Sequence, residues 1–171
     1  MTDEQEIVNL DDCPIKPALI PGGFVAFVLT LFPLSYALCC LPLILGGFTA
    51  TTVFIRKYGV RVELKVGMKI AILACMAGFG ASTFVYDVLW DVFDYRIGFE
   101  WYIDLLLALS DQAPEATRDE LIESIEILRE QTFSLAVLVQ QFFTVIVTSG
   151  IGGAIGGALA SSIFKKGAIA Q

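Results

Sequence analysis

Asp87, Asp91 and Asp94 stand four and three residues apart, a spacing that puts three carboxylates on one face of a helix. Converging carboxylates hold a hard cation such as Ca²⁺, or relay protons where they lie inside a membrane. Trp90 between them marks a membrane–water interface, so Asp91 and Asp94 are expected beyond it as a solvated helix end. Asp87 is expected one turn below it, with no obvious buried cation to match. A second polar set, Gln140, Thr144 and Thr148, recurs every four residues with Gln141 adjacent. Such a line either hydrogen-bonds across to neighbouring helices or borders a hydrated path. An ion or proton site would therefore draw on Asp87, Asp91, Asp94 and Gln140.

The third pattern is one of small residues. Ser149, Gly153, Gly157 and Ser161 repeat every four positions, and Gly152, Gly156 and Ala160 form the adjacent stripe. Gly22/Ala26, Gly46/Ala50 and Ala74/Gly78/Ser82 repeat the spacing elsewhere. Small side chains let helix backbones approach closely, which inside lipid takes over the role that hydrophobic burial has in water. Gly46, Gly78, Ser149, Gly152, Gly153, Gly156, Gly157 and Ser161 are thus the candidate packing residues. Two uses stay open: the stripes hold one chain's helices together, or one of them faces another subunit.

Other chemistries have little to work with. The chain contains no histidine, which removes the main ligand of haem, zinc, copper and non-haem iron. Its four cysteines, Cys13, Cys39, Cys40 and Cys75, form neither a CxxC pair nor a disulfide framework. Phosphate-loop, dinucleotide and HExxH signatures are missing, so the expectation is no enzyme and no cofactor.

The elements that must position these residues follow from hydropathy and charge. Of 171 residues 56% are hydrophobic, and they come in long blocks, which places the chain outside the soluble class. The block 18–55 is about twice as long as a bilayer needs and is punctuated by Pro33 and Pro42. It reads as a hairpin of spans near 18–35 and 38–55, with a re-entrant loop or one kinked helix as the alternative. Further spans are expected at 68–90 and 133–164, the last long enough to tilt or to break at Gly150–Gly157. Between them, 99–109 suits a short interfacial helix. Thr117 to Glu120 has the spacing of a capping box, opening an amphipathic helix that could run straight into the last span. The fold class is all-α: a polytopic membrane helical assembly of four transmembrane helices with an outer amphipathic insertion at 91–131.

Charge orients it. Residues 56–69 carry Arg56, Lys57, Arg61, Lys65 and Lys69 against Glu63, and basic loops stay on the cytoplasmic side. The lysine pair 165–166 falls on the same side, as does the acidic tail 1–17 if the first hairpin is complete. Residues 91–130, with a net charge of −8, then lie outside. With so few bases outside two short patches, nucleic-acid binding is excluded as a reading.

Cys39-Cys40-Leu41, followed by Leu45-Gly46-Gly47, Ile55-Arg56-Lys57 and the small-residue run Gly150–Lys166, resembles a loose group of uncharacterised prokaryotic membrane proteins. That resemblance covers 18–82 and 145–166 and implies a compact multi-span fold, with no activity attached. The expectation is a non-enzymatic protein of the cell membrane with both termini cytoplasmic. Its partners are the lipid bilayer and either copies of itself, as a homo-oligomer, or a larger membrane-protein complex. The alternative is an oligomeric channel or carrier that uses Asp87 and the Gln140/Thr144/Thr148 line.

Overall fold

The computed structural model describes residues 7–8, 13–31, 40–112, 114–130, 134–164 and 168–170. Most of the acidic tail, Pro33, Cys39, Lys165 and Lys166 lie outside the described residues. Among the described residues there are six helices: α1 (Lys16–Leu31), α2 (Leu41–Tyr58), α3 (Leu64–Phe93), α4 (Phe99–Ser110), α5 (Glu115–Glu130) and α6 (Leu135–Ile163). The structure is all-α, and α3 and α6 are long and apolar enough to cross a membrane. At 16 residues α1 is apolar but shorter than the about 17 that a full span needs.

Local chemistry sets the helix ends. Pro42 sits in the first turn of α2, where its missing N–H costs nothing, and Gly59 ends that helix at a φ of 65°. α3 stops at Asp94, which takes a left-handed φ of 51° while Asp94 N–H donates to Trp90 O and Tyr95 N–H to Leu89 O. Ser134 caps α6, its hydroxyl oxygen accepting from Val137 N–H at 3.4 Å. α5 and α6 are therefore separate helices, not one continuous run. Thr117 lies inside α5 rather than at its cap, and Pro114 O accepts from Thr117 and Arg118 N–H at the helix start. α6 passes through Gly150–Gly157 without a break, since no residue there is proline and the glycines pack tightly.

Three short strands, β1 (Ile7–Val8), β2 (Val60–Val62) and β3 (Ala168–Ala170), form a parallel sheet in the order β1-β3-β2. Ile7 and Arg61 both pair with Ile169. β1 leads into α1, β2 joins α2 to α3, and β3 follows α6. Those three connections therefore meet at one end of the molecule, and α1, α2, α3 and α6 run alternately away from it and back. Sequence patterning gave no hint of this sheet, because strands of two or three residues carry no readable period.

Packing divides the interior along its length. Near the sheet, Phe54, Ile55, Val60, Val62 and Ile70 form a buried core with Cys13 and Ala18. Further along, α2 and α3 contact each other, and α1 and α6 each pack against both. These contacts are made by glycine. A Cβ on Gly46 would lie 2.8 Å from Ala26 Cβ, and one on Gly47 3.0 Å from Gly153 O. On Gly153 it would lie 2.8 Å from Ile72 Cα, and on Gly157 2.8 Å from Ala71 Cβ. Thr51 Oγ1 adds a buried hydrogen bond of 3.0 Å to Gly67 O.

Gly153→Ala is therefore expected to destabilise the protein by about 1–3 kcal/mol, the usual range for overpacking, in denaturant titration of detergent-solubilised protein. Gly150→Ala, whose Cβ meets nothing within 4 Å, is expected to change little and serves as the control.

Candidate functional site: a chamber between the helices

Beyond the glycine contacts, on the side away from the sheet, a cavity of about 400 Å³ lies over the ends of α1 and α2 and against the continuing parts of α3 and α6. Thr30 and Leu31 of α1, Cys40 and Leu43 beside and within α2, Phe79 to Trp90 of α3, and Val137 to Thr148 of α6 form its walls. Arg96, Ile97, Phe99 and Tyr102 from the α3–α4 turn, with Leu128 of α5, close its outer end. Phe79 and Trp90 are 11 positions apart on the helix, so the wall is about 16 Å deep at about 1.5 Å per residue. Gln140 and Thr144 both line the cavity and are exposed, so it opens sideways at α6.

The wall's hydroxyl groups are largely satisfied within the protein. Thr144 Oγ1 donates to Gln140 O at 2.9 Å, and Thr148 Oγ1 donates to Thr144 O. Thr30 Oγ1 donates to Ser82 Oγ at 2.7 Å, and Ser82 Oγ donates to Phe79 O at 2.8 Å. The polar line read from the sequence therefore faces the chamber while spending its donors on backbone carbonyls. Phe79, Leu43, Trp90, Phe99 and Val137 make up much of the remaining surface.

Arg96 is the structural keystone of the outer end. Its guanidinium lies 4.3 Å from the centre of the Trp90 ring and 4.6 Å from that of Phe99, both within cation–π range. Its Nη1 donates to Leu128 O at 2.9 Å, in the last turn of α5, where orphan carbonyls and the helix dipole favour a cation. One side chain thus joins α3, α4 and α5. Arg96 is not among the site residues expected from the sequence. Its place between two aromatic residues, six before it and three after, is the signal that was there to use.

The carboxylates do not converge. Asp91 and Asp94 are exposed, and Asp94 serves as the helix stop. Asp87 is buried and lies instead beside Gln141 of α6. One oxygen of each, Asp87 Oδ1 and Gln141 Oε1, is buried without a hydrogen-bond partner. Gln141 lines the chamber, so the pair closes its α3–α6 flank. Among the described residues no three carboxylate, thiol or imidazole groups come together as metal ligands.

The small residues read as packing positions are placed inside the same chain. Gly46, Gly78, Ser149, Gly152, Gly153, Gly156, Gly157 and Ser161 are all buried. Gly78 meets Gly23 and Ala26 of α1, Gly152 meets Leu43, and Gly156 meets Ile44 and Phe48 of α2. No protein family, curated protein or solved structure matches the chain.

Replacing Arg96 by Leu is expected to release α4 and α5 from the outer end. Hydrogen exchange should accelerate at least about tenfold, equivalent to about 1.4 kcal/mol, in residues 99–130, with α3 and α6 amides near Gly78 and Gly153 unchanged.

Proposed function

We propose that the chain is a non-enzymatic integral membrane protein of four spans, α1, α2, α3 and α6, that binds a small membrane-borne molecule in its outer half. The chamber carries this reading. Where α1 and α2 end, α3 and α6 continue beneath α4 and α5 beside a space of ligand size, within the about 300–1,000 Å³ usual for such sites. Toward the sheet the glycine contacts close the interior, so the chamber is a binding vestibule rather than a through-pore.

Membrane embedding is supported by the inversion of the surface. On α6 Ser149, Gly152, Gly153, Gly156, Gly157 and Ser161 are buried while Phe142, Phe143, Val147, Ile151 and Ile163 are 53–64% exposed, and Ile20, Phe24 and Phe84 on α1 and α3 are similarly bare. Apolar surface on this scale is stable only against lipid or another protein. Orientation follows from the sheet, which gathers the segments before α1, between α2 and α3, and after α6 at the end bearing Arg56, Lys57, Arg61 and Lys65. That end is cytoplasmic by the positive-inside rule.

Catalysis is disfavoured by the wall itself: among its described lining residues Arg96 is the one charged side chain, and no base adjoins a nucleophile. A second reading, an accessory component of a membrane complex, draws on α4 and α5. They pack chiefly on each other at the outer end and expose a strongly acidic face to a basic partner. The glycine stripes are not available for that role, being occupied by the chain's own helices.

Two measurements test the proposal. In a cysteine-free background, an impermeant thiol reagent added to intact cells is expected to label Ser124→Cys and to spare Lys65→Cys; labelling of both or the reverse pattern refutes the topology. In liposomes, Trp101→Phe leaves Trp90 as the sole tryptophan, 7% exposed in the chamber wall. A brominated long-chain alcohol should quench its emission, and Thr144→Phe at the mouth should reduce that quenching by at least about half. Emission indifferent to the alcohol would show that the chamber is not reached from the bilayer.

A further inference from the structure

We infer that the molecule taken by the chamber is a single-chain amphiphile with an anionic head, its head at Arg96 and its chain lying along the α3 and α6 walls. The inference rests on the chamber reading above and adds the chemistry of the ligand. Four observations carry it.

The first is depth. The wall from Trp90 to Phe79 covers about 16 Å, close to half of the about 30 Å hydrocarbon core, so the chamber is one leaflet deep. The second is the placement of charge. Arg96 stands at the outer end beside Trp90, at the depth where a lipid headgroup begins, and guanidinium groups match carboxylate and phosphate oxygens in geometry. The third is the deep wall. Thr30, Ser82 and Thr148 donate to groups of the protein, leaving the inner part of the chamber suited to hydrocarbon beside Phe79 and Leu43. The fourth is volume: about 400 Å³ lies at the small end of ligand pockets and suits one chain rather than a two-chain lipid.

The acidic outer region sets the route. A net charge of −8 over residues 91–130 repels an anion approaching through water. The sideways opening at Gln140 and Thr144 leads into the leaflet instead, where an anionic amphiphile already resides with its head at interface level. Asp87 does not oppose such a ligand directly, since it lies behind Gln141 rather than on the wall.

The test uses the full chain with Trp101→Phe in liposomes and three brominated C14 probes that share one chain: a carboxylate, an alcohol and a trimethylammonium. The carboxylate is expected to reach half-maximal quenching of Trp90 at a membrane mole fraction at least about tenfold lower than the ammonium. Arg96→Gln should bring the probes within about twofold of each other. Arg96→Lys, which keeps the charge but lacks the planar fork, should retain the order carboxylate before alcohol before ammonium with a smaller spread. Should Arg96→Gln fail to fold, the Lys variant and the order of the three probes on the parent decide alone. Equal quenching by all three, or preference for the ammonium, overturns the anionic head while leaving the chamber in place. Quenching by none of them removes both readings. A carboxylate preference that survives in Arg96→Gln shows that another group reads the head, and overturns the assignment to Arg96.

Discussion

Backbone-to-backbone contact at the glycines is the constraint on which the rest of the structure depends. Gly46 against Ala26, Gly47 against Gly153 and Gly157 against Ala71 bring α1, α2, α3 and α6 closer than side chains would allow. In the membrane setting proposed above, a medium as apolar as leucine, large side chains gain nothing by meeting one another, so dispersion between close backbones becomes the main attraction. The large residues are then displaced outward, which yields a surface of Phe142, Phe143 and Ile151 and an interior of glycine, alanine and serine. A soluble protein is built the other way round.

The same contacts mark where the chamber begins. Glycine and alanine contacts end near Gly78 on α3 and Ser149 on α6; past them come Phe79, Tyr86 and Trp90 on one wall and Gln140, Gln141 and Thr144 on the other. Residues of that size border a space left where α1 and α2 stop and α3 and α6 go on. Arg96 then limits that space from outside, fastening α4 and α5 over the gap through two aromatic faces and one carbonyl. The cavity is what remains between a tight zone and a lid.

Much of this was legible in the sequence, and what was not has a physical reason. The small-residue period in 149–161 and the apolar blocks named the long helices to within a few residues at most ends, because periodicity and length are local properties. The Gln140/Thr144/Thr148 line was likewise visible as one face of α6. Its satisfaction by i−4 carbonyls was not, since threonine pays the same spacing signal whether it bonds its own helix or a neighbour. Asp91 and Asp94 stand exposed at the helix end, as their place beyond Trp90 suggests, and Asp87 is buried below them, since three residues sharing a helical face do not share an environment at a helix end. Arg96 was hardest to read: its partners come from three elements, and Leu128 is 32 residues away.

The parallel sheet has a consequence for how the molecule is made. β3 lies between β1 and β2, yet it is the last of the three to leave the ribosome. Until it arrives, the two earlier strands have no common partner, and the ends of α1, α2 and α3 stay untied at that face. Closure of the sheet thus waits for synthesis of the strand beyond α6, and a chain stalled or cut before Ala168 presents two unmatched strand edges to the protein-folding and proteolytic machinery.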